Sequence, residues 1–477
     1  MIYRLATNVE LVEREGGSFL VSRTPLCVLR LNLSLAGLVR RGLDGPLTAA
    51  NDGEARILEQ LAAKGFLVRL RSIREELEAL PSVSVVIPVK DRASELQRCL
   101  ASIDRVAYPR ELLQVIVVDD GSSDDSPRVA RQANATVVPS GGTGRGPAAA
   151  RNSGAMAATG EILAFIDSDC TAHTEWLAEL IPAFGDSATA AVGGQVDGMC
   201  TTSSVDRYEA VMSSLSLGSR ERTGNGGDDT FYLPSCNLLV RREAFLVAGG
   251  FNDDMHVGED VDLTWRLRDS GWTITYLPAG RVNHEHRSTI RSFMSRRFDY
   301  GTSEGMLQLL HPQRHKRMVI PRMLALIIAL CLSATFAGWW PLPTAGALLA
   351  IDAAAGRLRM KRRGIPIGLC SLIAGRLRAL GSLVYYLSYH LVRYYAAPLA
   401  VAALFFPPAG ALFIAVAAVA AGVDYGVRKP HLSFLPFAGI YLLEQFAYGA
   451  GVFWGCLRRG TFTSYRVTVL RQMKVTA

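Results

Sequence analysis

The chain has 477 residues, 49% of them hydrophobic and 20% charged, with 51 Lys and Arg against 43 Asp and Glu and a formal net charge of +8; this length holds two or three domains. The eight cysteines contain no Cys-x-x-Cys pair, which excludes a zinc ribbon or a disulfide framework and fits a reducing, cytosolic setting. Charged residues are frequent up to about Arg322, and beyond it long uncharged runs alternate with short Arg/Lys clusters, the pattern of a soluble part followed by a membrane part and not of a nucleic-acid binder.

Met1 to Asn8 lacks the apolar core of a signal peptide, and residues 1–80 read as a compact unit. Val9 to Val12 and Ser18 to Ser22 are β-like, Leu26 to Leu35 is mostly apolar, and a helical pattern begins at Leu35. A second helix is expected from Asp52 to Lys64, closed by Gly65 and followed by the strand-like Phe66 to Leu70. Helices followed by a short β-ribbon suggest a winged-helix-like α+β module. On these elements the unit resembles the PqqD-like peptide-recognition domains, which implies that a precursor peptide is bound as an added strand. A DNA-binding winged helix competes with this, but basic residues are not concentrated on the second helix; a purely structural cap is the third reading.

Arg71 to Leu80 reads as a charged connector. Next, Val83 to Pro88 is a strand that stops at proline, Ser94 to Ile103 a helix, and Val115 to Val118 a second strand. Thr136 to Val138 and Ile162 to Ile166 give two more. Strands alternating with helices predict a doubly wound, mostly parallel α/β sheet, whose ligands sit beyond the C-terminal ends of the strands. Three of those ends carry carboxylates: Asp91, then Asp119 with Asp120, then Asp167 with Asp169.

Asp167 and Asp169 are two apart, so they face the same side where the strand opens into a loop. Two hard oxygen ligands suit Mg²⁺ or Mn²⁺. The plainer alternative is that Asp-Ser-Asp ends the strand and caps a helix around Thr174 to Phe184. Asp91 and Asp120 suit hydrogen bonds to a base or to ribose hydroxyls. Gly141 to Asn152 is a Gly-rich loop entering a small-residue helix; it lacks the Gly-Lys-Ser/Thr of a Walker loop and does not open a helix directly after the first strand, which counts against kinase and dehydrogenase readings.

With Ile87-Pro-Val-Lys-Asp91, Val118-Asp-Asp120-Gly-Ser, Gly146 to Asn152, Asp167-Ser-Asp169 and Gly258-Glu259-Asp260 in order, residues 81–305 resemble the family-two glycosyltransferases of the GT-A fold. The resemblance implies that Asp91, Asp120, Arg151 and Asp167 serve the nucleotide-sugar and that Asp169 is the principal metal ligand. His284 is favoured as a further ligand, with His286 open. Asp260 would be the general base that activates the acceptor hydroxyl for inverting attack, with Glu259 orienting it. Val192 to Gln195 resembles a strand lining the acceptor side, Tyr232 to Arg241 the segment before the catalytic helix, and Thr223 to Asp229 reads as a mobile loop. Arg296-Arg297-Phe298 stands where processive members carry Gln-x-x-Arg-Trp; Gln and Trp are absent, which counts against long-chain synthesis.

Toward the C-terminus, Met323 to Pro343 and Ala396 to Val423 are uncharged, and His431 to Cys456 holds only Glu444 as a charge. Leu380 to Leu391, flanked by Arg376, Arg378 and Arg393, reads as interfacial. About four membrane segments are expected in residues 316–477. The order is therefore a PqqD-like domain over 1–80, a GT-A transferase over 81–315, and a helical membrane region over 316–477. This combination looks like the mycofactocin glycosyltransferases, which decorate a peptide-derived redox cofactor with glucose units. The resemblance implies a metal-dependent inverting hexosyltransferase using UDP-glucose, a peptide-derived acceptor and membrane lipid, with no nucleic acid. Its expected place is the cell membrane, multi-pass, with the catalytic domain and Leu457 to Ala477 on the cytoplasmic side. The rivals are a transferase building a lipid-linked or cell-surface polysaccharide and a non-catalytic peptide-binding scaffold.

Overall fold

The computed structural model describes all residues except 1, 7–8, 15–16, 24–25, 44, 71–79, 227–228, 363–367 and 471–477. Most of the expected connector Arg71 to Leu80, and the end of the basic segment Leu457 to Ala477, lie outside the described residues. The chain forms two units: Met1–Glu76 with Val319–Val384 and Val469–Ala477, and Leu77–Met318 with Tyr385–Thr468.

The N-terminal part opens with strands β1 (Ile2–Leu5), β2 (Val9–Arg14), β3 (Gly17–Arg23) and β4 (Leu26–Leu31), then helix α1 (Leu33–Arg41), β5 (Leu47–Thr48), α2 (Asp52–Ala63) and β6 (Leu67–Leu70). Strands β2, β3 and β4 make an antiparallel meander, and β1 lies between β5 and β6. Asn32 and Asn51 start the two helices by accepting hydrogen bonds from the backbone N–H groups of Leu35 (2.8 Å) and Glu54 (2.9 Å). Tyr3, Leu20, Val39, Leu58 and Phe66 form the core. The unit is α+β as expected but richer in strand. The strand after the second helix makes no ribbon of its own; it pairs antiparallel with β1, Tyr3 opposite Arg69.

The second unit begins with β7 (Val83–Val89), α3 (Ala93–Ile103), β8 (Leu113–Asp119), α4 (Ser126–Gln132), β9 (Thr136–Pro139), α5 (Pro147–Ala157) and β10 (Ile162–Ile166). It continues through β11 (Cys170–Ala172), α6 (Trp176–Leu180), β12 (Thr189–Gly193), β13 (Val196–Gly198), α7 (Ser204–Met212) and β14 (Arg222–Asn225). Then come β15 (Asn237–Arg241), α8 (Arg242–Val247), α9 (Glu259–Asp269), β16 (Thr273–Tyr276), β17 (Val282–His284), α10 (Ile290–Leu310) and β18 (Lys316–Val319). The main sheet runs β14-β16-β12-β15-β10-β7-β8-β9. It is parallel from β10 to β9 and between β12 and β16, and antiparallel where β15 inserts between β10 and β12. Strand β10 alternates Ile162, Ala164 and Ile166 into one core with Leu163 and Phe165 into the other, so both faces are buried and the strand reads as a continuous apolar run.

Two sequence expectations change here. Strand β7 continues through Pro88 to Val89: pairing with β10 ends at Val86, and the Val89 carbonyl accepts from Asp120 N–H on the β8 side, so Pro88 faces an edge where no N–H is needed. Thr223 and Gly224 are not loop but edge strand, paired with Thr275 and Ile274, and Asp229 is tied to the buried Arg268 at 2.7 Å.

The C-terminal helices are α11 (Arg322–Ala337), α12 (Pro341–Arg362), α13 (Leu369–Phe405), α14 (Pro407–Arg428) and α15 (Phe434–Arg459), followed by β19 (Val467–Leu470). The uncharged run Met323 to Pro343 is broken at Gly338 (φ +80), and the run Ala396 to Val423 is broken at Phe406, which is held extended before Pro407 and Pro408. Leu380 to Leu391 forms the middle of α13. Among the described residues one helix, Pro407–Arg428, is long and apolar enough to cross a membrane. Helix α15 has another role: Gly301 and Gly305 of α10 meet Gly451 and Gly455 of α15 backbone to backbone, and a Cβ on Gly305 would stand 2.6 Å from the Gly455 carbonyl oxygen. This contact ties α15 to the rest of the second unit.

Overpacking of this kind costs about 1–3 kcal/mol where side chains can yield, and here the obstacle is backbone. Gly451→Leu is therefore expected to destabilise the protein by about 3 kcal/mol, while Gly439→Ala, which meets nothing within 4 Å, stays within about 0.5 kcal/mol. Denaturant unfolding of the purified chain measures both.

Candidate active site

Helix α5 can lie close against β7 and β8 because its inner residues are small: a Cβ on Gly154 would stand 2.8 Å from a Val118 methyl. This sets the buried Arg151 beneath the end of β10. Its Nη2 donates to Asp167 Oδ1 at 2.6 Å and its Nη1 to Glu259 Oε1 at 2.8 Å. Arg151 lines the cavity and joins the end of β10 to the start of α9, and the two carboxylates hold its guanidinium firmly charged against burial.

Helix α9 starts at Gly258, in the left-handed region at φ +82, where a Cβ would meet the Ser303 side chain at 2.9 Å. Glu259 and Asp260 follow directly. Burial, then the adjacent Asp260, push Glu259 up to about 7 although Arg151 opposes them. Asp260 is raised by burial, against hydrogen bonds to its carboxylate from the N–H groups of Ser235 (3.1 Å) and Val261 (2.8 Å). Both carboxylates line one cavity of about 880 Å³ together with Asp120, Asp167, Asp169 and His284.

A small second sheet, β11-β17-β13, places Cys170 opposite His284. Asp169 Oδ1 lies 3.6 Å from His284 Nε2, and Asp169 also pairs with Arg92. Burial works to raise Asp169, but His284 and Arg92 outweigh it and hold the carboxyl below its usual range. His284 Nδ1 faces His286 Nδ1 at 3.1 Å, so its other nitrogen is the one aimed at Asp169. His286 instead sits by Glu209, 3.8 Å away, and burial followed by the neighbouring His284 depresses it to about 3. The structure therefore brings His284, not His286, to Asp169. Cys170 adjoins them, but burial and the Cys236 thiol keep it protonated. The remaining donors, one carboxylate and one imidazole steered by a second imidazole, fit a hard divalent cation.

Asp91 and Asp120 also hold the loops around them. Asp91, at φ +51, spends Oδ1 on the N–H (2.6 Å) and hydroxyl (2.8 Å) of Ser123 and holds the loop after β8. Asp120 lines the cavity, but it accepts from Ser140 Oγ (2.6 Å), Arg145 N–H (2.9 Å) and Gly146 N–H (3.0 Å), so its carboxylate shapes the Gly-rich loop. Three groups escaped the sequence reading as parts of the site. Arg92 had a signal, being the residue after Asp91 at a ligand-edge strand end. Glu209 had none, and Arg297, noted in the sequence only as part of Arg296-Arg297-Phe298, is ion-paired with it at 2.8 Å beside His286 through the packing of α7 on α10. Burial raises Glu209 to about 7 despite that pairing.

Residues 84–247 match the family described as Glycosyl transferase family 2. The chain is 32% identical over 460 residues to the Pre-mycofactocin glycosyltransferase of Mycobacterium tuberculosis (strain CDC 1551 / Oshkosh), covering 93% of this chain and 92% of that protein. It is 31% identical over 206 residues to Glycosyltransferase AglE of Haloferax volcanii, covering 41% of this chain and 64% of that one. Among solved structures, the mannosyltransferase PcManGT from Pyrobaculum calidifontis in complex with GDP-Man and Mn²⁺ is 22% identical, with 74% of this chain and 88% of that chain covered and a TM-score of 0.40. Because the first likeness runs along nearly the whole of both proteins, the chain belongs to the pre-mycofactocin glycosyltransferase family, within glycosyl transferase family 2, and its central sheet is a GT-A core.

Proposed function

We propose that the protein transfers glucose from UDP-glucose to a peptide-derived acceptor of the mycofactocin-precursor kind, with inversion at the anomeric carbon. The observation that carries this reading is the convergence of Asp169, His284 and Asp260 on one cavity. Asp169 and His284 would hold Mg²⁺ or Mn²⁺, which when bound supplies Lewis-acid stabilisation of the leaving diphosphate. Asp260 takes the proton of the acceptor hydroxyl; that oxygen bonds to the anomeric carbon as the bond to the diphosphate breaks. Burial makes Asp260 a stronger base than a free aspartate, and the Ser235 N–H fixes its carboxylate. Arg151 keeps Asp167 and Glu259 in place, and the nearby Asp167 carboxylate adds to the burial that raises the proton affinity of Asp260. Asp91 and Asp120 shape the loops against which the nucleoside is read.

The place we propose is the cell membrane, multi-pass, with the catalytic unit cytoplasmic. Helices α13 and α14 turn back on each other at Phe406: Tyr385 donates to Asp424 at 3.0 Å, and a Cβ on Gly410 would lie 3.3 Å from that of Ala403. The tip carries Leu404 and Phe405, 80% and 84% exposed, so the hairpin offers an apolar end to the bilayer. Residues 1–80 we assign to recruiting the peptide-derived acceptor at a sheet edge.

Replacing Asp169 with Asn is expected to abolish transfer with the fold intact, and chelation of the wild type should do the same. Sugar-nucleotide assays across added Mn²⁺ and Mg²⁺ check this, and full activity in a chelator contradicts it.

Asp260→Asn should retain donor affinity by calorimetry and lose about 10²–10⁴-fold in kcat. The base works only when ionised, so kcat/KM falls as pH drops through its apparent pKa, which stands above an ordinary aspartate's.

Deleting residues 1–80 should weaken acceptor use while slow hydrolysis of the sugar-nucleotide persists. Equal KM for acceptor in the truncated and full chains would assign those residues a structural role only.

A further inference from the structure

We propose that the transferase unit contains a lipid site: a groove between α10, α13 and α15 that takes an acyl chain of an anionic bilayer phospholipid. The groove encloses about 570 Å³ and is walled by apolar groups from all three helices, among them Phe298, Pro398, Phe446 and Ala450. Polar atoms enter it chiefly at Arg393 and Gln445, and these bond to each other at 2.9 Å. Water gains little in such a cleft, whereas a hydrocarbon chain recovers the hydrophobic free energy that the open walls forgo.

Three observations choose the occupant. The first is the mouth of the groove: its own wall residues Phe453, Trp454 and Phe462 are 52%, 45% and 47% exposed, a cluster of aromatics half in and half out of the groove. Aromatic side chains so placed suit the boundary between hydrocarbon and water. Charge is the second. Arg458 and Arg459 end α15, Arg466 follows, all three are exposed, and the Arg458 guanidinium lies 5.8 Å from the Trp454 ring centroid. Cations beside an apolar mouth complement a phosphate headgroup that carries net negative charge. The third is continuity with surfaces already described. The apolar hairpin of α13 and α14 belongs to the same unit, and the groove is cut partly from α13 itself. Arg393 and Tyr394 line both this groove and the catalytic cavity, and the Tyr394 hydroxyl donates to Glu304 at 2.7 Å on the cavity side. A lipid chain in the groove therefore rests against residues that also wall the catalytic cavity.

The test uses the full chain in detergent micelles and phosphatidylglycerol brominated on its acyl chains, a quencher of nearby tryptophan. We expect saturable quenching that Trp454→Phe removes, and at least a tenfold weaker midpoint in Ala397→Leu/Ala450→Leu, which fills the groove from two exposed positions. Brominated phosphatidylcholine should bind more weakly than phosphatidylglycerol. Calorimetry of the donor nucleotide on the same samples reports whether each variant is folded, so loss of the lipid site and loss of the transferase reading are separable. Quenching that rises without saturation, that survives Trp454→Phe unchanged, or that is equal for the two headgroups overturns the proposal; the first of these would leave the groove to a partner helix.

Discussion

One buried guanidinium organises the catalytic unit. Arg151 comes from a helix between β9 and β10, Asp167 from the end of β10, and Glu259 from the first turn of α9, so a single side chain ties together three elements distant in sequence. Two carboxylates on one guanidinium offset the cost of burying it; removing the guanidinium would leave both carboxylates without their counter-ion, a loss of about 3–5 kcal/mol for a buried pair. The arrangement also separates tasks. Asp167 and Glu259 are held by Arg151, whereas the side-chain oxygens of Asp260 accept only backbone N–H groups, which leaves the carboxylate without a cationic partner in hydrogen-bond contact. Its elevated proton affinity comes from burial, against those hydrogen bonds and the nearby Arg151 charge.

The second constraint is the glycine seam between α10 and α15. Helices whose backbones touch have no freedom to slide, so Tyr385–Thr468 is part of the catalytic unit rather than an appended anchor. One consequence lies inside the cavity: Glu304 of α10 accepts from Tyr394 of α13 (2.7 Å) and Tyr448 of α15 (2.6 Å) and pairs with Lys316 at 2.7 Å. Another is Arg297, buried between Glu209 and Glu444. The C-terminal helices thus supply part of the wall that faces the chemistry.

Much of this was legible in the sequence, for physical reasons. Strand β10 is apolar throughout because both its faces are buried, and that made Ile162 to Ile166 and the Asp-x-Asp after it easy to place. The small residues Ala148 to Ala150 and Gly154 announced a helix packed tightly on a sheet. The sequence could not reveal that Asp91 and Asp120 also hold loops. They stand at ligand-edge strand ends, where Asp91 Oδ1 accepts from Ser123 and Asp120 accepts from the Gly-rich loop, because short acidic side chains readily bond nearby backbone N–H groups. Hydropathy misled where proline and glycine cut apolar runs: Gly338 and Pro407 end helices that an uncharged stretch alone reads as continuous. The composition of α15 could not distinguish a helix bound for lipid from one bound for α10, since Gly-x-x-x-Gly serves close helix packing in either setting.

The central claim is that one cavity transfers a hexose with inversion to a peptide-derived hydroxyl. Its most direct test is the product itself: purified full-length protein, UDP-glucose, Mn²⁺ and a mycofactocin-type precursor, analysed by mass spectrometry for the added sugar and by proton NMR for its anomeric configuration. The account predicts an acceptor heavier by a hexose and a β linkage from the α-configured donor. An α-linked product, or hydrolysis of UDP-glucose with the acceptor unchanged, would contradict it.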